Sequence, residues 1–293
     1  MSEQTTIQAF VRQDQAGDPT ITDMLGSEMV VVAVGKVQEK ITIHKGLLDN
    51  YAPAMSKAAV LLSTQAPIFE LDLPNVDVAV FKLFAQVMYS GGQVPSITAT
   101  MLPLTQIVLI RSLAQLYTFF ERYHIKFELC NKIMDRIQDG YVVMKTFPSS
   151  DFASSIYKNT SPVSKLRLFA TSCLAYQLRM EVDAGQLDHF KDFLMAHPEM
   201  LKDFLATMKG YVPETDPRNR QCNGEPGCTE CGSNKERMAG MTGYWPCYFH
   251  IHYGYLHNGI LKIVRPAYAT EEEVEMYTDP GCYLWNIDGH GAY

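Results

Sequence analysis

The sequence predicts an α+β chain: a small sheet with a helical cluster, then further helices, then an irregular segment rich in Cys and His. Three observations predict it. Strand-like β-branched and alternating runs are confined to the region before Pro74. Apolar residues at helical spacing dominate from Val80 to Met208. After Tyr211 that period disappears and Gly, Pro, Cys and aromatic residues take over. With 47% hydrophobic and 19% charged residues over 293 positions, the chain has enough apolar surface to bury a core, which excludes disorder of its bulk.

Residues 1–26 are polar, contain Gly17-Asp18-Pro19, and read as a leader. Met29 to Val34 is an apolar β-branched run ended by Gly35-Lys36, and Lys40-Ile41-Thr42-Ile43 alternates polar with apolar. Together they predict a strand pair closed at a glycine turn. Phe69, Leu71 and Leu73 alternate with Glu70 and Asp72 before Pro74, which predicts a third strand with one wet face. Val80, Phe81, Phe84, Val87 and Met88 form one helical stripe that closes at Gly91-Gly92. Leu109, Leu113, Leu116 and Phe120 predict a long helix ahead of Tyr123, and a further helix spans about 127–137. The stretch 141–162, with Phe147-Pro148-Ser149-Ser150, reads as a linker. Helices resume over 163–210: Leu166, Phe169, Cys173 and Tyr176 share a face, Asp183 with Gln186 has capping-box spacing, and Pro198 suits a first helical turn. Residues 211–293 form the irregular Cys/His-containing segment. No repeat of 20–50 residues is present, which argues against solenoids and propellers.

Three motifs in this order, within residues 27–140, resemble the BTB/POZ domain. Ile41-Thr42-Ile43-His44-Lys45-Gly46-Leu47-Leu48 is similar to that family's strand-to-helix segment. Phe81-Lys82-Leu83-Phe84 with Met88-Tyr89-Ser90-Gly91 resembles its helix closing on Tyr-Thr/Ser-Gly. Leu113-Ala114-Gln115-Leu116-Tyr117 with Glu121-Arg122-Tyr123 looks like the helix before its final pair. Leu-Tyr in that helix and a downstream Cys-x-x-His-x-His resemble BTB proteins of filamentous fungi. The resemblance implies a protein-binding surface, frequent self-association as a homodimer, and no active site. Two positions depart from the pattern. Glu28 stands where an Asp is usual before the first strand, and Asn50 to Phe69 holds no Glu. The second departure argues against recruitment of a cullin scaffold.

The residues carry readings of their own. His44 at a strand edge predicts a turn-orienting histidine, at the surface or paired with Glu28 or Asp49, rather than a proton carrier. Tyr89 predicts a half-buried ring with its hydroxyl satisfied. The Leu109–Phe120 stripe predicts core.

The chemically loaded segment contains Cys222, Cys228, Cys231, Cys247, His250 and His252. Two residues separate Cys228 from Cys231, and two separate Cys247 from His250. That spacing lets a pair of soft ligands reach one tetrahedral zinc ion. The expected metal ligands are Cys228, Cys231, Cys247 and His250, holding structural zinc, with Cys222 and His252 as alternates. Unliganded thiols and ordinary polar histidines are the competing readings. A redox pair at Cys228/Cys231 is a third, and the surrounding Gly-Pro-Gly residues offer it no helix start.

No Gly-x-Ser-x-Gly elbow, phosphate loop or His-Glu-x-x-His occurs. The net charge of −7 and the lack of a Lys/Arg cluster argue against nucleic acid. The acidic run Glu271-Glu272-Glu273-Val274-Glu275 reads as a solvated helix start. The first residues are polar, and no apolar run approaches the roughly 20 residues of a membrane helix. Cysteine usage, with Cys130 and Cys173 on apolar stripes, suits a reducing compartment. The expectation is therefore a soluble cytoplasmic or nuclear scaffold or adaptor with protein partners, with no enzymatic function and no membrane. A transcription-associated regulator using the Cys/His segment, or a zinc-dependent or redox enzyme, is the alternative.

Overall fold

A computed structural model gives the architecture of residues 21–63, 68–180, 190–191, 194, 197–210, 216–218, 249–251, 254–257 and 260–263. The fold is α+β, a small mixed sheet with several helices. β1 (Met29–Val34) and β2 (Glu39–His44) form an antiparallel hairpin, with Met29 opposite His44 and Val34 opposite Glu39. Gly35 at φ +74° and Gln38 at φ +52° close it; the left-handed backbone is free of cost at the glycine. β3 (Val60–Ser63) and β4 (Ile68–Leu73) complete the sheet in the order β2-β1-β4-β3, and β4 runs parallel to β1. A parallel neighbour requires a crossover. It is supplied by α2 (Lys45–Tyr51) and α3 (Pro53–Ala58).

The expected hairpin and third strand are present. β3 is an addition to the expected sheet: Val60-Leu61-Leu62 is a short apolar run without alternation, which periodicity does not assign. The leader reading of 1–26 needs correction at its end. Residues Ile21–Met24 form α1, with Met24 in the core. Gly46 makes this approach possible, because a Cβ there would clash with the Met24 carbonyl oxygen.

α4 (Val78–Tyr89) starts at Asp77, whose carboxylate accepts from the Ala79 and Val80 amides, and ends at Gly91 and Gly92, both at positive φ. α5 (Pro103–Tyr123) and α6 (Phe127–Met144) follow. The stripe Leu113, Leu116 and Phe120 is fully buried. Phe84 meets Phe119 and Phe120 with ring centroids 5.3 and 5.4 Å apart, the tilted and edge-on packing that aromatic quadrupoles favour. This is the centre of the core.

The linker expected over 141–162 is overturned. α6 continues through Met144, and α7 (Ser150–Asn159) fills most of the remainder. Ser149 caps α7 through the Phe152 amide, and Phe152, Ala153, Ile156 and Tyr157 are buried. α8 (Lys165–Met180) and α9 (Pro198–Gly210) follow. Asp183 and Gln186 lie outside the described residues. One hydrophobic core runs from Met24 through Phe204 to Phe249, so 140 is not a boundary in the packing. Within the segment expected to be irregular, β5 (Gly254–His257) and β6 (Ile260–Ile263) pair antiparallel. Among the described residues, no helix is long and apolar enough to cross a membrane.

Candidate functional site

Two signature residues that are 45 positions apart meet at the surface. The Tyr89 hydroxyl lies 2.7 Å from His44 Nδ1 and accepts from the His44 backbone N–H at 3.2 Å. A phenol has one proton and two lone pairs, so it can accept from the amide while donating to a neutral ring protonated at Nε2. The rings also pack edge to face, with centroids 5.8 Å apart. The joint pins the end of β2 to the end of α4. His44 pairs here rather than with Glu28 or Asp49. Those acids take Lys45 instead, at 3.9 and 3.0 Å, because the first residue of α2 reaches Asp49 one turn on. The Tyr89 hydroxyl is bonded, as expected, while the residue is 38% exposed, more open than the half-buried ring expected.

The open edge of the sheet is apolar. Among the described residues β3 has β4 on one side only; its Val60, Leu61 and Leu62 are 65, 45 and 57% exposed, and Ile68 at the start of β4 is 39% exposed. Soluble proteins usually protect such an edge with charge, proline or a covering segment.

A groove of about 420 Å³ opens between the β4–α4 turn, α5 and α7. Its apolar lining includes Val80, Phe119 and Ile156, and its polar lining includes Arg111, Gln115, Thr118 and Arg122. The four polar residues follow each other at intervals of four, three and four, and therefore form one stripe along α5. Asp77 and Asp151 contribute the acids, and Ser155 and Asn159 line the α7 side. Sequence reasoning missed this site. The polar stripe was visible, but the opposite wall is the helix read as linker.

A second polar node is not part of the groove lining. Arg167, with its side chain 5% exposed, reaches Glu199 at 2.6 Å and donates to the Tyr157 and Thr160 carbonyls and the Thr160 hydroxyl. Burial pushes the Glu121 carboxyl up to about 7, while the Ser164 and Tyr117 hydroxyls and Arg167 pull the other way. A carboxyl tuned so far is a recognised mark of acid–base chemistry, but Glu121 does not line the groove. Ser154 and His197 are hydrogen-bonded and tie α7 to the start of α9; they too are absent from the groove lining.

Of the expected zinc ligands, His250 is the one described. Its Nε2 lies 2.8 Å from Asp135 Oδ1 on α6. Asn131 bonds both the N–H and the carbonyl of Ile251, and Phe249 is buried against Phe169. The segment around His250 is thus fastened to α6 and α8. Cys228, Cys231 and Cys247, with Cys222, His252 and the run Glu271–Glu275, lie outside the described residues. Among the described residues, no three His, Cys, Asp or Glu side chains converge as a metal site. Cys130 and Cys173 are free thiols buried in the core, and burial raises both well above the ordinary thiol range, which leaves them unreactive.

Comparison with known protein families, with curated proteins and with solved structures finds no match for this chain.

Proposed function

We propose that this chain is a non-enzymatic protein–protein interaction protein, a scaffold or adaptor built on a BTB/POZ-like domain. The observation that carries the reading is the open apolar edge at β3. Exposed aliphatic side chains on a strand that, among the described residues, pairs on one side only suit strand addition from a second chain. The three sequence motifs and the meeting of His44 with Tyr89 support the family reading. Its partner at the edge is a second copy of the chain, and other proteins dock on the assembled surface. The absence of Glu between Asn50 and Phe69 weighs against a cullin scaffold as one of them. The protein acts in the cytoplasm or nucleus.

Size-exclusion chromatography with light scattering on the full chain tests this. A dimer that Leu62→Lys converts to monomer supports the edge. A strict monomer that also captures no protein partner removes the interaction role.

We further propose a structural zinc held by Cys228, Cys231, Cys247 and His250, on the strength of their paired spacing. The carboxylate of Asp135 on one ring nitrogen of His250 suits a zinc-bound imidazole, and suits a His–Asp ion pair equally well. Metal analysis of the purified chain should find one zinc per molecule, lost in Cys228→Ser; a metal-free wild-type chain sinks the idea.

A further inference from the structure

We propose that the groove between α5 and α7 docks an extended, acid-bearing segment of a partner protein, with Arg111 and Arg122 holding its carboxylates. The inference deepens the docking role above and rests on it.

Shape is the first argument. Arg111 and Arg122 are eleven residues apart on α5, which places them about 16 Å apart along the helix axis. An extended strand advances roughly 3.3 Å per residue, so about five residues span that distance. The lining follows the same course, with Gln115 and Thr118 between the arginines and Ser155 and Asn159 across from them. Those groups suit the amides and carbonyls of a peptide backbone. Val80, Phe119 and Ile156 supply apolar contact for alternate side chains.

Charge is the second. The chain as a whole is acidic, at −7, yet both arginines of this stripe are exposed and neither makes an ion pair among the described residues. The two acids of the lining are placed by other elements, Asp77 as the cap of α4 and Asp151 in the first turn of α7, and among the described residues neither forms an ion pair with Arg111 or Arg122. Arginine offers a planar fork to a carboxylate and loses little by waiting in water for it. Asp77 and Asp151 also give the groove an acidic component, which disfavours a uniformly anionic ligand such as a nucleic-acid backbone. Carboxylates spaced to meet the two arginines fit better.

The experiment uses the full chain and fluorescence polarisation. The probes are labelled ten-residue peptides with two glutamates four or six positions apart, which puts both on one face of an extended chain, varied at the neutral positions, together with twins carrying glutamine at both places. A labelled single-stranded oligonucleotide is the third probe. The glutamate peptides should bind about tenfold tighter than their twins, and the advantage should shrink with salt and vanish in R111Q/R122Q. Both substituted positions are exposed, so the variant should keep the wild-type melting temperature; if it does not, the single variant Arg122→Gln repeats the test. Equal binding of the twins, an advantage that survives the substitutions, or no binding at all overturns the proposal. So does tighter binding of the oligonucleotide through the same two arginines. A chain that fails here while still forming its dimer keeps the docking role and loses only the groove.

Discussion

The sheet-and-helix half and the α7–α9 half are stabilised by different chemistry. Around Phe84 the interior is apolar and aromatic, and hydrogen bonds such as His44–Tyr89 stay at the surface. Around Arg167 a guanidinium is itself interior, held by Glu199, two carbonyls and a hydroxyl, with Glu121 nearby. The first half tolerates an approximate fit, since apolar packing is non-directional. The second depends on directed bonds, because an interior charge that loses its partners costs several kcal/mol.

The difference can be broken from either side. Phe84→Ala should have the largest effect, costing about 3–5 kcal/mol in urea unfolding, since it opens a cavity at the centre of the aromatic cluster. A loss below about 1 kcal/mol would show that the core is not centred there. Arg167→Met should cost about 2–3 kcal/mol, because the Tyr157 and Thr160 carbonyls lose their donor. Its mark is location: hydrogen exchange should quicken in α7 and α9 while β1 and β4 keep their protection. Uniform loosening would erase the distinction between the halves.

Glu121→Gln sharpens the contrast with the smallest change. The folded pKa of Glu121 lies above its unfolded value of 4.5, so the folded state holds the extra proton. Its contribution is therefore most favourable below pH 4.5 and is lost as pH rises toward about 7. Wild-type stability should fall by about 2 kcal/mol between pH 5 and pH 8, allowing for partial solvent screening. In Glu121→Gln that part of the slope should vanish. Identical pH profiles for the two proteins would place the carboxyl in water.

The same division explains what the sequence reveals. The β1–β2 hairpin, β4 and α4 are legible because period-two alternation, Gly35, the Asp77 cap and Gly91-Gly92 all agree. β3 is not, since three adjacent aliphatics fit a buried helix as well as a strand. α7 is hidden for a different reason. Its buried Phe152, Ile156 and Tyr157 are diluted by Ser, Asp, Lys and Asn, and part of its tether to α8 and α9 runs through Arg167, a residue that composition assigns to the surface. With α7 lost, one wall of the groove is lost, so Arg111 and Arg122 read only as a solvated face. The His44–Tyr89 contact spans 45 residues, and no local pattern announces it; the acids Glu28 and Asp49 are the partners that sequence proximity offers His44.

The parallel pairing of β1 with β4 has a consequence for how the chain reaches this state. Met29 meets Ile68 across 39 positions, whereas the β1–β2 hairpin closes within a few. Loop closure favours the hairpin forming first. Until the crossover helices settle and β4 arrives, Val30, Val32 and Val34 form a bare aliphatic ribbon with an unpaired edge. That interval is when a newly made chain is most exposed to aggregation, and slowing the arrival of β4 would lengthen it without altering a single contact of the finished fold.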